Sequence, residues 1–282
     1  TNLLIGPLVA LLWGGSFVAV KIGLEETSPF VLAFLRFAVA SPLMFGVAAW
    51  KKKSLRISHG DFPGLLVLAL TGVTLLYILQ YLGIKYTTAM NSAVLINTNV
   101  IFIALLSALV FSEMFSPKKS IGVALGFMGA ILVVASTSLF SFTLSFRGDI
   151  LVVLSAFCWA IYTILGKQFL KKYDPLTITA YIFLLGTLLY LPLVFQDFHE
   201  MFLTVQGWGI VLYLAVPCSV FAYVAWYDAL SRMEATKIAI FLNLIPVFAM
   251  ALSFLILQEK ITYGMVAGTL CIMYGIYLTQ KG

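Results

Sequence analysis

Ten apolar runs, each about 20 residues long, cover residues 3–23, 29–50, 62–83, 89–112, 118–137, 148–169, 175–195, 207–230, 236–257 and 262–280. No other feature of the sequence restricts its fold as strongly. A helix of that length spans the hydrocarbon layer of a bilayer, and lipid forces every backbone N–H and C=O to be satisfied internally. A water-soluble core cannot hide this much Leu, Phe and Val. Of 282 residues, 62% are apolar and 10% charged, against about 45–50% and about 25% in ordinary soluble domains. The expectation is an all-α membrane protein with ten transmembrane helices.

Several chemistries are missing from the pattern. Cys158, Cys218 and Cys271 fall singly inside apolar runs, with neither metal-type spacing nor a disulfide frame. His59 and His199 fall in loops predicted on opposite faces, so they share no metal. No Gly-x-x-x-x-Gly-Lys loop exists for ATP. No Ser, His and Asp converge, which argues against an enzyme acting on lipids, and no cofactor is expected. No Asp or Glu sits at the centre of a run, which disfavours a proton relay through buried carboxylates. The first run is full length and nine more follow, so it reads as a span and not as a cleavable signal.

The formal charge of +6 is explained by topology, without nucleic acid. On the side of the N-terminus lie Lys51, Lys52, Lys53, Arg56, Lys118, Lys119, Lys167, Lys171, Lys172, Arg232, Lys237 and Lys281. The other side holds Lys21, Lys85, Arg147 and Lys260, and Arg36 remains inside a span. Positive residues near helix ends stay cytoplasmic, so both termini are expected inside, at a plasma or bacterial inner membrane. The run "KKKSLR" would meet anionic headgroups there.

The stretch "WGGSFVAVKIGLEETSP" from Trp13 shares its Trp, Lys and Pro spacing with "WAIYTILGKQFLKKYDP" from Trp159, 146 residues on. At that offset 24 of 136 pairs are identical, roughly twice the chance level for this composition. The matches include Tyr77 with Tyr223, Tyr81 with Tyr227, Asn97 with Asn243, Glu113 with Glu259, Gly122 with Gly268 and Gly129 with Gly275. The chain therefore reads as a duplicated five-span unit, residues 1–137 and 138–282. Five is odd, so the second copy enters the membrane from the opposite face. The result is a pair of inverted-topology repeats, a plan common in secondary transporters that bind substrate near the midplane.

The segments "LLWGGSFVAVKIGLEETSPFVLAFLRFAVA", "TTAMNSAVLINTNVIFIALLSALVFSE", "SPKKSIGVALGFMGAILVV" and "LQEKITYGMVAGTLCIMYGIYL" resemble spans 1–2, 4, 5 and 10 of the drug/metabolite transporter superfamily, in its ten-span EamA-type exporter branch. The likeness covers essentially the whole chain. It implies export of amino acids, related metabolites or drug-like amphiphiles, through a central cavity lined by spans 1, 3, 4, 6, 8 and 9. Where that family often has Gly-Glu, this chain has Ser112-Glu113 and Gln258-Glu259.

Polar groups inside a span face protein or a cavity. Asn97 and Asn243 bracket the midplane, and Asn99 adds a third amide. Such amides bind a carboxylate or an ammonium group, or else hold helices together. Tyr77 and Tyr81 share one helical side, as do Tyr223 and Tyr227, with Gln80 and Trp226 adjoining. These faces either stack an aromatic or cationic substrate or belong to interfacial belts. Trp13 and Trp159 lie nearer mid-span, with Ser16 and Tyr162 one turn on. Gly14 and Gly15 permit close packing or a hinge in span 1. Pro217 and Pro246 are the expected kinks. Arg36 either gates the outer face by pairing with Glu25, Glu26 or Glu259, or snorkels in a fixed structural pair. Glu259 also suits the positive end of the following helix. The expected protein is an exporter of small metabolites working by alternating access, a monomer or weak dimer in the bilayer. A channel-like facilitator pore is the alternative.

Overall fold

A computed structural model describes residues 5–111, 116–138, 144–195, 197, 200, 202–226 and 244–281. Among them every regular element is a helix: α1 (Ile5–Gly23), α2 (Pro29–Trp50), α3 (Phe62–Ala69, a π-turn Leu70–Thr74, then Leu75–Tyr86) and α4 (Ala89–Leu95, a 3-10 turn Ile96–Thr98, then Asn99–Phe111). They continue as α5 (Pro117–Ser138), α6 (Leu144–Phe169), α7 (Pro175–Val194), α8 (Val205–Ala215, a π-turn Val216–Phe221, then on to Trp226), α9 (Leu244–Ile256) and α10 (Tyr263–Lys281). Eight of these are long and apolar enough to cross a membrane; α9 and the apolar stretch Tyr263–Thr279 of α10 are shorter. The chain is an all-helical, multi-pass membrane protein.

Short connections need sharp helix starts, and the sequence supplies capping residues at them. Ser28 Oγ accepts from Val31 N at 3.3 Å, and Asp174 Oδ1 accepts from Leu176 N at 2.9 Å, each followed by Pro at the first helical position. Thr88 and Thr204 cap α4 and α8 in the same way. Pro42 and Pro192 remain inside α2 and α7, whereas Pro217 falls at the start of the α8 π-turn. Proline lacks an N–H, so a wider turn there forfeits no donor that the helix had. Pro246 lies in the first described turn of α9.

The two π-turns begin 146 residues apart, at Leu70 and Val216. Such turns interrupt the regular hydrogen-bond ladder and leave carbonyls to other donors. The Tyr190 hydroxyl donates to Val73 O at 3.2 Å and to Thr74 O at 3.0 Å, and Trp13 Nε1 donates to Cys218 O at 2.9 Å. Each break is thus met by a side chain from the other half of the chain.

The core lies between α2 and α7, α3 and α6, α1 and α9, α4 and α6, and α1 and α8. A separate close pair is α5 with α10. A Cβ placed on Gly129 would come within 2.6 Å of Gly268 O, and one on Gly122 within 2.6 Å of Gly275 O, so only glycine permits this backbone approach.

Candidate functional site

Between α1, α2, α3, α4, α6, α7, α8 and α9 lies a cavity of about 450 Å³, within the range of small-molecule sites, about 300–1,000 Å³. Its walls bring together Trp13, Ser16, Arg36, Tyr77, Gln80, Asn97, Asn99, Trp159, Tyr162, Tyr223 and Trp226. Helices α2 and α7 therefore contribute in addition to the six expected. Tyr81, Gly14, Gly15 and Glu259 are not part of the lining. Tyr227 and Asn243 lie outside the described residues.

Aromatic rings form a connected chain, with Phe183 and Phe37 packed behind the lining. Trp13 meets Tyr223 edge-on at 5.8 Å between centroids and Trp226 at 6.0 Å. Tyr223 continues to Phe183 at 5.4 Å, Phe183 to Phe37 at 5.0 Å, and Phe37 to Tyr77 at 4.9 Å. On the facing side Trp159 and Tyr162 lie 5.4 Å apart. Tyr162 lies against the α3 π-turn, where a Cβ on Gly72 would fall 2.4 Å from its ring. The cavity is thus a low-polarity chamber whose quadrupolar faces suit an aromatic, aliphatic or ammonium group.

The polar groups differ in how far they are committed. Asn97, in the 3-10 turn of α4, donates one amide hydrogen to Ala93 O at 2.9 Å. An amide carries two donors and an acceptor, so one N–H and the carbonyl are left for the cavity. Ser16 Oγ donates to Trp13 O at 2.6 Å.

Arg36 lies on α2 about 10 Å from its start at Pro29, taking 1.5 Å per residue, and is 3% exposed. Its Nε donates to Ser219 Oγ at 2.8 Å and its Nη1 to the Tyr81 hydroxyl at 2.9 Å. The guanidinium carbon sits 4.6 Å from the Tyr77 ring centre and 5.3 Å from that of Phe37. Of the two readings of Arg36, outer gate or fixed structural setting, its contacts here are those of a fixed setting, with hydroxyls in place of a carboxylate. Glu26 accepts from Thr204 N and Oγ1, at 3.1 and 2.8 Å. Glu259 accepts from Ala89 N and Met90 N at 2.8 and 3.0 Å, the open N–H groups at the start of α4. A helix N-terminus is a partial positive charge at the membrane surface, whereas reaching Arg36 would bury the carboxylate. Arg36 is instead solvated by hydroxyls and ring faces, each ring contact worth about 0.5–2 kcal/mol.

Gly14 and Gly15 serve close packing. A Cβ on Gly14 would lie 2.9 Å from Phe248 Cβ and 3.0 Å from Ile245 O, and one on Gly15 2.6 Å from the Tyr213 hydroxyl. Here α1 presses against α9 and α8.

Among the described residues the cavity lining is asymmetric along the bundle. It reaches Leu170, just past the end of α6, and Ile178, in the first turn of α7. At the opposite end, where α3 meets α4, the lining gives way to a polar cluster that sequence reading missed. Lys21 Nζ donates to Ile84 O at 2.7 Å and also to Thr87 O. Thr87 Oγ1 donates to Asp149 Oδ1, and Asn91 Nδ2 donates to the same oxygen at 3.3 Å. Asp149 is fully buried near the start of α6. In the sequence Asp149 lies near the end of a span and not at its centre, and its hydrogen bonds come from the α3–α4 junction about 60 residues earlier.

A helical bundle crossing the membrane many times around such a chamber defines a membrane transporter. The chain belongs to the EamA-like transporter family, whose profile matches residues 2–135 and 146–280. An "Uncharacterized transporter" of Archaeoglobus fulgidus is 42% identical over 282 residues, spanning 99% of this chain and 96% of its own length. A "Probable amino-acid metabolite efflux pump" of Salmonella typhimurium is 29% identical over 294 residues, spanning 98% and 93%. A crystal structure 17% identical superposes with a TM-score of 0.69 over 98% of this chain and 95% of that one, a likeness of fold. The family and these relatives are transporters, so this protein is a transporter and not an enzyme.

Proposed function

We propose that the protein is a secondary transporter that exports amino acids or related amphiphilic metabolites across the inner, or plasma, membrane by alternating access. The observation that carries the reading is the one-sided cavity, which reaches the α6–α7 end and is closed off at the α3–α4 end by Lys21, Thr87, Asp149 and Glu259. With the basic loops inside, that describes an inward-facing state with an outer seal. The printed name of the Salmonella relative supports amino-acid metabolites as the cargo.

Residues 1–137 and 138–282 form two inverted five-helix repeats in this reading, with ten crossings and both termini cytoplasmic. The packing supports it. Exchanging each helix with the one five places away turns α3–α6 into α8–α1, α1–α9 into α6–α4 and α3–α7 into α8–α2, and all of these contacts occur. The self-paired contacts α2–α7, α4–α9 and α5–α10 occur as well. The paired π-turns fit the same exchange. The protein acts as a monomer or weak dimer, needs no cofactor and binds no nucleic acid.

Counterflow tests the reading. Proteoliposomes preloaded with mixed amino acids receive trace labelled Thr, Met, Phe or Lys outside. Label accumulates with saturable kinetics, and Asn97→Ala and Trp159→Ala reduce it at least about tenfold, as expected for loss of one polar and one aromatic wall contact. Uptake that rises linearly and shows no counterflow would mark a facilitator pore instead.

A further inference from the structure

Arg36 is a permanently charged group deep in an apolar bundle, and no carboxylate lies against it among the described residues. A guanidinium carries five N–H donors. One meets Ser219 and one meets Tyr81, which leaves three without a partner among the described residues. Both partners are neutral hydroxyls, and both hold the guanidinium in a fixed orientation. Its plane is further confined by the Tyr77 and Phe37 rings. Arg36 also helps to line the cavity. With Nε committed and one N–H left on Nη1 beside two on Nη2, the edge available to a carboxylate's two parallel hydrogen bonds is the one between Nη1 and Nη2.

We infer that Arg36 is the substrate-carboxylate anchor, and that the transported class is monocarboxylates with one apolar or aromatic arm, zwitterionic amino acids of that kind included. The inference rests on the transport reading of this cavity and narrows it. One buried cation balances one negative charge, so polyanions are left with an uncompensated charge in an apolar chamber. A bare organic cation meets repulsion at Arg36 with no charge to offset it. The arm of the substrate lies along the wall of Trp13, Tyr223 and Trp226. Gln80 and Asn97 line the same cavity and supply carbonyl oxygens for an ammonium group.

The test compares acids with their amides, which share shape and lose the charge. Purified protein in nanodiscs is titrated with L-phenylalanine, 3-phenylpropionate and the two corresponding amides, and tryptophan fluorescence is read. The acids bind about 10- to 100-fold more tightly than the amides, the worth of charged hydrogen bonds. In Arg36→Gln that ratio collapses toward one, and Arg36→Lys, which keeps the charge without the fork, falls between. Equal binding of acid and amide by the unaltered protein overturns the inference, as does a ratio that survives Arg36→Gln. Where Arg36→Gln does not fold, the unaltered protein and Arg36→Lys decide. Counterflow of the same compounds separates the two readings. Exchange of amides or organic cations in preference to acids sinks the carboxylate anchor and leaves the transporter. Arg36-dependent binding of acids without any exchange sinks the exporter reading and leaves the anchor.

Discussion

At the scale of the residue, Trp13 combines two tasks that substitutions can separate. Its Nε1 donates to Cys218 O in the α8 π-turn, and its ring forms the cavity wall with Tyr223 and Trp226. Trp13→Phe keeps a ring and loses the donor. It should lower stability by about 1–3 kcal/mol, the cost of a buried carbonyl left unmet, with counterflow largely retained. Trp13→Ala removes both and should cut counterflow more than about tenfold; thermal unfolding and transport measured side by side separate the two. The sequence already marks Trp13, Trp159, Tyr162 and Asn97 by their place within the apolar runs, and all four line the cavity. The spacing of Tyr81 and Tyr77 places both on one helical side, as a stacking face or an interfacial belt. A spacing of four fixes a helical side but not what stands in front of it, and here Arg36 stands between Tyr81 and the chamber. The setting of Arg36 was not legible either. Ser219, Tyr81 and Phe37 come from three helices, and only packing brings the first two to a guanidinium on the third.

At the scale of the element, the sequence repeat announced the helices and concealed their irregularities. Residues 70–74 read Leu-Thr-Gly-Val-Thr and residues 216–220 read Val-Pro-Cys-Ser-Val, with no identity, yet both form π-turns. The first turn packs against α6 and α7 and the second against α1 and α2, contacts that a pairwise sequence match does not encode. The glycines of α5 and α10 are the opposite case, since Gly122, Gly129, Gly268 and Gly275 were visible as repeat matches and do mark a close contact. Gly129→Leu or Gly268→Leu should destabilise the protein by about 1–3 kcal/mol through overpacking, read as a lower unfolding temperature. Because neither residue lines the cavity, the folded fraction should bind substrate with unchanged affinity. A changed affinity would mean that the α5–α10 pair is coupled to the chamber.

At the scale of the whole molecule, the α3–α4 end that the proposed inward-facing state keeps closed combines hydrogen bonds to helix ends with buried apolar neighbours such as Ile84, Ala89 and Met90. Glu259→Ala removes acceptors for two N–H groups of α4, and Asp149→Asn weakens the Thr87 and Asn91 contacts. Each should move the population toward the outward-open form. With cysteine placed at Gln80 in a background without native cysteines, a membrane-impermeant thiol reagent added outside should label the sealed protein slowly and both variants severalfold faster, given about 1 kcal/mol for a lost hydrogen bond. Equal labelling in all three would show that the seal lies elsewhere. The crossed hydrogen bonds of the π-turns bear on how the chain is made. Tyr190 is synthesised more than a hundred residues after the Val73 carbonyl it serves, while Trp13 precedes Cys218 by 205 residues. During synthesis the Val73 carbonyl therefore has no Tyr190 donor until α7 is made, and a regular helical turn in place of the π-turn would satisfy it until then. Coexpressed as two separate polypeptides, the halves would each hold what the other lacks, and their assembly would be driven by the completion of these bonds.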